Sequence, residues 1–276
     1  MADWVPQFLG FTFILVYVFV RYFADEVLAN QDWYVYRKLN SKTAYQKNVV
    51  KVVLEKYNPY FKPLSPKGKA KYIYRTIELT NSFDFIGKGG QKINTEIKVL
   101  IASAIAQTTF GWKVFDLDKF YEIHIYPDIF RLSPRLPKMQ GASHPDGILV
   151  FSWKHILFGF ADDSDGINVA VYEIAHAIKI NYLDASSILP NKKYSDWNEH
   201  ATRVKLDMQL QDETFFRKRA KTNMHEFFAI CLENFFERPN EFLNHHPKLF
   251  AATCLLLNQN PLNTKSDYQI PKNRDF

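Results

Sequence analysis

The feature that most constrains the fold is an almost wholly apolar stretch, NTEIKVLIASAIAQTTFGW, at residues 94–112. Asn94 can cap a helix at its first turn, and Gly111 can end it, so the stretch predicts one continuous helix. A helix that is apolar around its whole circumference must be buried, so other elements have to surround it. The sequence therefore predicts a core helix inside a folded domain.

Two shorter segments further along the chain predict β-strands. FYEIHIYPDIF, at residues 120–130, alternates around Ile123 and Ile125 and breaks at Pro127, and GILVFSW, at residues 147–153, is a short apolar run. The chain has no regular alternation of strand and helix and no internal repeat. A small sheet packed with several helices, which is the α+β class, is the predicted architecture.

Composition limits the classes of protein that remain. The chain has 276 residues, of which 47% are hydrophobic and 16% are aromatic, so it can bury one sizeable core and most of it is not disordered. Cys231 and Cys254 lie in apolar runs and are predicted to be buried thiols, without a disulfide framework. The formal charge of +6 is spread along the chain, without the spacing of a nucleic-acid-binding motif. We expect no nucleic-acid partner.

The N-terminal segment differs from the rest. In FLGFTFILVYVFV, at residues 8–20, Thr12 is the one polar side chain, and residues 4–23 would form a helix about 30 Å long, enough to span a hydrocarbon core. A secretory signal is the alternative, but no Lys or Arg precedes the apolar run. Basic residues such as Arg21 and Arg37 follow it, a bias that favours a cytoplasmic body. We therefore expect a single-pass membrane protein whose main domain faces the cytoplasm.

The sequence pattern predicts that the chain is divided into four parts. We expect a transmembrane anchor at residues 1–24, a connector at residues 25–65, a folded domain at residues 66–268 and a polar tail at residues 269–276. The connector ends in YNPYFKPLSPKGK, where prolines and a glycine interrupt any helix.

A candidate metal-binding helix follows the second predicted strand. NVAVYEIAHAIKI, at residues 168–180, matches the H-E-x-x-H pattern of zinc peptidases except that Tyr172 stands at the first histidine. Positions four apart share one face of a helix, with Cβ atoms about 5–6 Å apart, so ligands at this spacing can hold one tetrahedral ion. Glu173 and His176 hold their places in the pattern. Such a pair also occurs by chance, and a lone histidine on an apolar helix is more often a hydrogen-bonded core residue.

A second helix, NMHEFFAICLENFFERP at residues 223–239, carries Glu226 and Glu233 on one face of an otherwise apolar stretch. Buried carboxylates cost several kcal/mol unless they are paired, hydrogen-bonded or bound to a metal. One interpretation is that both pair with nearby Arg or Lys. The other is that Glu226 is a third zinc ligand, and spacing alone does not decide between them.

Taken together, these segments resemble the Mlc titration factor A family, the glucose-regulated zinc metallopeptidases, over about residues 57–262. The matching segments occur in the family's order: NTEIKVLIASAIAQTTFGW, FYEIHIYPDIF, GILVFSWKHI, DGINVAVYEIAHAIK, TNMHEFFAICLENFFERPNEF and LLLNQNPL. The resemblance implies a zincin-like metallopeptidase domain at residues 66–268, with Zn²⁺ as the cofactor. It also implies a peptide or protein substrate, or a regulatory protein such as a transcriptional repressor as a binding partner.

The resemblance assigns roles residue by residue. It makes His176 the second histidine ligand, Glu226 the glutamate ligand and Glu173 the general base. Tyr172 replaces the first histidine ligand, and Arg219 stands where the family usually has a tyrosine that stabilises the transition state. Three interpretations of Tyr172 remain open, namely a phenolate ligand, replacement by another histidine such as His200, and an inactive site.

Two functions follow from these residues. The first is a membrane-anchored, zinc-dependent peptidase that hydrolyses peptide bonds with a metal-activated water, with Glu233 and Arg219 as supporting residues. The alternative is a catalytically inactive family member that binds a regulatory protein.

Overall fold

The computed structural model describes residues 38–113, 115–144, 146–183 and 192–270. In chain order, its elements are α1 Ala44–Tyr57, α2 Pro66–Ser82, β1 Asp84–Gly87, α3 Thr95–Thr108, β2 Glu122–Tyr126, β3 Gly141–His144, β4 Ile148–Ser152, α4 Trp153–Ala161, α5 Val169–Ile178, a π-helical turn Lys179–Leu183, α6 Lys192–Gln209, a 3₁₀ turn Lys218–Lys221, α7 Met224–Glu237, α8 Pro239–His245, α9 Pro247–Leu257 and a 3₁₀ turn Thr264–Ser266.

The strands of the described residues form one mixed sheet in the order β1-β2-β4-β3. The first three strands in this order run parallel to one another, and β3 lies at an edge, antiparallel to β4. Ile125 of β2 pairs with Phe151 of β4, and both side chains are fully buried. The α+β prediction is confirmed, as are the two strands that the sequence predicted.

The apolar stretch forms α3, at the centre of the helical layer. Asn94 caps it, because its side-chain oxygen accepts a hydrogen bond from the Ile97 backbone N–H at 2.9 Å. Ile97 and every residue from 99 to 108 are buried. Helices α1, α2 and α5 pack around it. The prediction of a core helix is therefore confirmed.

The two cysteines lie in the same core. Cys231 in α7 and Cys254 in α9 are both buried free thiols, as the sequence predicted. Helix α1 belongs to the stretch that the sequence assigned to a connector, and its Val50 and Leu54 are buried in the core.

Within the described residues, no helix is both long enough and apolar enough to cross a membrane. The two most apolar helices are short: α5 has 10 residues and α4 has 9, whereas a spanning helix needs about 20. The expectation of a single-pass membrane protein with a cytoplasm-facing domain is therefore corrected. Residues 1–24, on which that expectation rested, lie outside the described residues.

Helices α5 and α7 pack against each other, and β3 lies beside α5. Asn168 begins α5, since its side-chain oxygen accepts hydrogen bonds from the N–H groups of Ala170 and Val171. Gly141, the first residue of β3, lies very close to the Glu173 side chain of α5. A Cβ atom there would lie 2.5 Å from Cγ of Glu173, so any larger residue would have to displace the Glu173 side chain.

Candidate functional site

A cleft of about 870 Å³ opens between α5, α7 and the edge strand β3. Its polar lining comes from these elements, from the residues just before β3 and from the segment that leads into α7: Lys138, Gln140, Ser143, Tyr172, Glu173, His176, Arg217, Arg219, His225, Glu226 and Glu233. All six site residues that the sequence singled out, which are Tyr172, Glu173, His176, Arg219, Glu226 and Glu233, therefore lie in one cleft. His200, on α6, is not among the residues that line it.

The Glu226 carboxylate is the centre of the site. Arg219 donates to it twice, from Nε to Oε2 at 2.5 Å and from Nη2 to Oε1 at 3.3 Å. The Tyr172 hydroxyl donates a short hydrogen bond to the same Oε2. Burial alone would raise the pKa of Glu226, but the hydrogen bonds from Arg219 and Tyr172 outweigh it and hold that pKa below its usual value. Glu226 is therefore a carboxylate that already has a cation and a phenol as partners.

Tyr172 acts in this network as a proton donor. Burial and the neighbouring Glu226 raise the pKa of its phenol well above the usual value, so the phenol stays neutral at physiological pH. The guanidinium carbon of Arg219 lies 5.5 Å from the centre of the Tyr172 ring, within the range of a cation–π contact.

His176 lies one helical turn after Tyr172, and the two ring centres are 4.7 Å apart. Its Nε2 is 3.9 Å from Oε1 of Glu226, although the two residues are fifty positions apart in the chain. Burial lowers the pKa of His176 to about 4, against the opposing effect of Glu226. The imidazole is therefore neutral at physiological pH, the form in which histidine can bind a metal.

Glu173 lies deeper in the cleft, with 5% of its surface exposed. The Ser143 hydroxyl is 3.0 Å from its Oε2 and 2.7 Å from its backbone carbonyl oxygen, so the single hydroxyl proton can be donated to either. Burial raises the pKa of Glu173 to about 8, although Ser143 and Arg219 oppose the shift. At neutral pH this side chain is therefore mostly a protonated carboxyl group.

Glu233 connects α7 to the start of α5. Its Oε1 accepts a hydrogen bond from the Asn168 backbone N–H at 2.9 Å, and Nη1 of Arg217 lies 2.6 Å from its Oε2. Arg217 also donates to the Gly166 carbonyl oxygen at 3.1 Å. The Glu233 side chain is 1% exposed, and this burial raises its pKa to about 8. Glu233 therefore connects the start of α5 with Arg217, which agrees with the interpretation of a paired buried carboxylate.

Arg217 was missed by the sequence analysis. The sequence indicated only that a glutamate buried on an apolar helix face could pair with a nearby Arg or Lys, without identifying which one. The partner lies sixteen positions before Glu233, outside its helix, and helical spacing says nothing about such a pair.

By the family resemblance, the side chains that would hold a zinc ion are Tyr172, His176 and Glu226. Catalytic zinc sites commonly use three protein ligands. Here the Tyr172 phenol is neutral and donates its proton to Glu226, and both oxygens of Glu226 accept hydrogen bonds from the Arg219 cation. Among the described residues, no group of three or more His, Cys, Asp and Glu side chains could hold a metal ion. The residues as arranged do not fit a zinc ion.

Comparison with known proteins gives the family. The family described as glucose-regulated metallo-peptidase M90 matches residues 31–256. The Mlc titration factor A of Escherichia fergusonii is 26% identical over 189 residues, which are 61% of this chain and 69% of that protein. That of Klebsiella pneumoniae strain 342 is 28% identical over 186 residues, 60% of this chain and 68% of that protein. Because the family match extends over most of its length, the chain belongs to the glucose-regulated metallopeptidase family M90.

Proposed function

We propose that this chain is a member of the metallopeptidase family that uses its cleft to bind a peptide or protein segment, without metal-dependent hydrolysis. The observation that carries the proposal is the network in which Arg219 and Tyr172 hold the Glu226 carboxylate. The family implies a metal, typically zinc, whose chemistry when bound would be the activation of a water. In this chain a guanidinium supplies the positive charge beside Glu226 instead.

The state of Glu173 supports the same proposal. A general base must be ionised to take a proton from water, and with no metal cation beside it, burial keeps this carboxyl mostly protonated at neutral pH. The carboxyl therefore acts as a hydrogen-bond donor or as a neutral part of the wall. If Arg219 and Tyr172 exclude the metal as we propose, peptide hydrolysis lacks both its activated water and its base.

The cleft retains the properties of a binding site. Its volume of about 870 Å³ lies within the range of about 300–1,000 Å³ that is usual for ligand pockets. Apolar side chains at its rim are exposed, with Ile129 at 44% and Ile167 at 53%. The relatives are named for the titration of Mlc, and the family resemblance includes the binding of a transcriptional repressor. By analogy, the expected occupant is a segment of a regulatory protein.

A peptide-display selection on the full chain tests the binding role. Peptides that the chain enriches should bind it saturably, and Ile167→Asp should weaken that binding about tenfold, since it places an unpaired charge on an apolar rim. Leu210→Asp is the matched control, because Leu210 is 88% exposed and does not line the cleft. If no peptide binds saturably, or if both variants weaken binding equally, the cleft is not the binding site.

Zinc-dependent hydrolysis of peptide bonds is the second candidate. The observation in its favour is that Glu173, His176 and Glu226 lie together in one cleft, with His176 neutral. Metal analysis and a peptidase assay on the purified full chain separate the two functions. Our proposal expects less than one zinc per chain and no hydrolysis. One tightly bound zinc, together with peptidase activity that Glu226→Ala removes, would establish the peptidase instead.

A further inference from the structure

A second cavity lies beside the first turn of α5, and we propose that it binds a small organic ammonium ion. This cavity, called here the Glu237 cavity, has a volume of about 190 Å³. The residues of its wall on which the proposal depends are Tyr60, Phe160, Asp163, Phe236, Glu237 and Tyr268. The proposal concerns a different site from the cleft and does not depend on the function proposed for the cleft.

The carboxylate of Glu237 is the first observation. Both of its oxygens are buried, and neither has a partner at full hydrogen-bond geometry among the described residues, although the Asn168 side chain and the Ile167 backbone N–H are close enough to lower its pKa. The nearby Asn168 side chain donates to the Gly159 carbonyl oxygen at 2.9 Å. Ionising a buried carboxyl group with such weak partners is costly, and burial raises the pKa of Glu237 to about 8 in the absence of a cation. A cation bound in the cavity would offset that cost and favour the carboxylate.

The charge of the wall is the second observation. Asp163 and Glu237 are acidic, and no Lys, Arg or His is among the residues that the structure places in the wall. The chain as a whole carries a formal charge of +6, so this acidic composition is a local property of the cavity. An anionic pocket of this kind attracts cations and repels anions.

The aromatic surface selects the type of cation. Four wall residues are aromatic, and the rings of Tyr60 and Tyr268 are stacked with their centres 4.0 Å apart. Their hydroxyls already have partners, since Tyr60 donates to Gln259 Oε1 at 2.6 Å and Tyr268 donates to the Tyr60 carbonyl oxygen at 2.8 Å. Calcium takes six to eight oxygen ligands, whereas aromatic rings attract weakly hydrated organic cations. The wall therefore fits an organic ammonium better than a metal ion.

Isothermal titration of the full chain with methylammonium, tetramethylammonium and choline tests the proposal. The neutral comparison is 3,3-dimethylbutan-1-ol, in which carbon replaces the nitrogen of choline. At least one ammonium should bind saturably with one site per chain, and the affinity for choline should exceed that for its neutral isostere by about tenfold or more, as expected for a charge-assisted contact. Equal affinity for the two, or no saturable binding of any of the three cations, would overturn the proposal.

Two variants place the binding in this cavity. Glu237→Gln keeps the shape of the side chain and removes the charge, so affinity for the bound ammonium should fall about tenfold. Glu241→Gln is the matched control, because Glu241 is exposed on α8 and pairs with Arg238; it should leave the affinity unchanged. Thermal unfolding verifies that Glu237→Gln is folded. An unchanged affinity in folded Glu237→Gln, or displacement of the ammonium by millimolar calcium, would contradict the assignment.

Discussion

Substitutions that remove the Arg219 guanidinium and the Tyr172 phenol should convert the cleft into a zinc site. We predict that Tyr172→His creates zinc binding and that adding Arg219→Tyr strengthens it. Tyr172 is four positions before His176 on one helix face, their ring centres are 4.7 Å apart, and Nε2 of His176 is 3.9 Å from Glu226. A histidine at position 172 would therefore complete the two-histidine, one-glutamate ligand set of several zinc peptidases.

The structure indicates how much each substitution should raise the affinity for zinc. Changes next to a metal ligand already alter metal affinity about 10–100-fold, so gaining a direct ligand through Tyr172→His should raise zinc affinity about a hundredfold or more. The second step is smaller. Because the Arg219 side chain is 64% exposed, its ion pair with Glu226 contributes about 1 kcal/mol at most, and its removal should add about fivefold.

Competition with a chromophoric zinc chelator measures these affinities. The natural chain, both single variants and the double variant are compared, and Glu226→Gln is added to the double variant as the control that should abolish the gain. If Tyr172→Phe lowers the zinc affinity of the natural chain, the phenol is itself a ligand and our reasoning fails. If Tyr172→His gains nothing while the protein stays folded, the site does not have the ligand geometry that we assign to it.

Three further predictions concern stability. The free energy of unfolding should fall as pH rises from about 4.5 to 8. Glu173, Glu233 and Glu237 have pKa values of about 8 in the folded state but ordinary values in the unfolded state, so the folded state binds more protons in that pH range. Urea titrations at pH 5.5 and 7.5 measure the difference. Arg217→Met should cost about 1–3 kcal/mol in urea unfolding at pH 9, because Arg217 lowers the pKa of Glu233 and without it the buried carboxyl must take up a proton or remain without a cation. Gly141→Ala should cost about 1–3 kcal/mol in the same assay, because its Cβ would collide with Cγ of Glu173.

Each of these predictions has a contrasting outcome. Stability that rises between pH 5.5 and 7.5 would mean that the lowered pKa of His176 dominates, since that shift stabilises the folded state as pH rises from about 4 to 6.5. Arg203→Met removes an exposed helical ion pair with Glu199 and should change stability by less than about 0.5 kcal/mol. A similar small effect of Arg217→Met would show that Glu233 does not need its partner. An unchanged stability of Gly141→Ala would mean that β3 moves freely away from α5.

The elements that the sequence predicted are those fixed by local rules. Helix α3 begins after its Asn94 cap and is buried on all sides, as an apolar helix must be. The alternation in β2 and the apolar run of β4 identify these strands without knowledge of the fold. By contrast, β3 has the sequence GASH, which carries no apolar pattern. It is a strand because β4 supplies its hydrogen-bonding partners, and the local sequence of β3 does not predict that pairing.

The residues of the candidate site could be predicted for a different reason. Helical spacing placed Tyr172 and His176 on one face, but the approach of Glu226 across fifty positions came from the family resemblance and not from spacing. The contacts of Arg219 depend on the 3₁₀ turn Lys218–Lys221, which leads into α7. A position seven residues before Glu226 and outside its helix has no fixed geometry until that turn is known.

The family resemblance implies two departures from the family pattern, at Tyr172 and Arg219, and we propose that the contacts of these two residues explain each other. With tyrosine at position 172, the side chain on this face of α5 is a neutral donor instead of an imidazole ligand, and Glu226, which is 15% exposed, would be a largely buried carboxylate without a cation. Arg219 provides that cation, and its planar group can donate to both carboxylate oxygens, which a tyrosine hydroxyl cannot do. A change at Tyr172 alone would leave the guanidinium in competition with any metal. A change at Arg219 alone would leave Glu226 with the phenol but without its guanidinium partner. The pair is therefore best understood as one exchange, in which a protein cation takes the place beside Glu226.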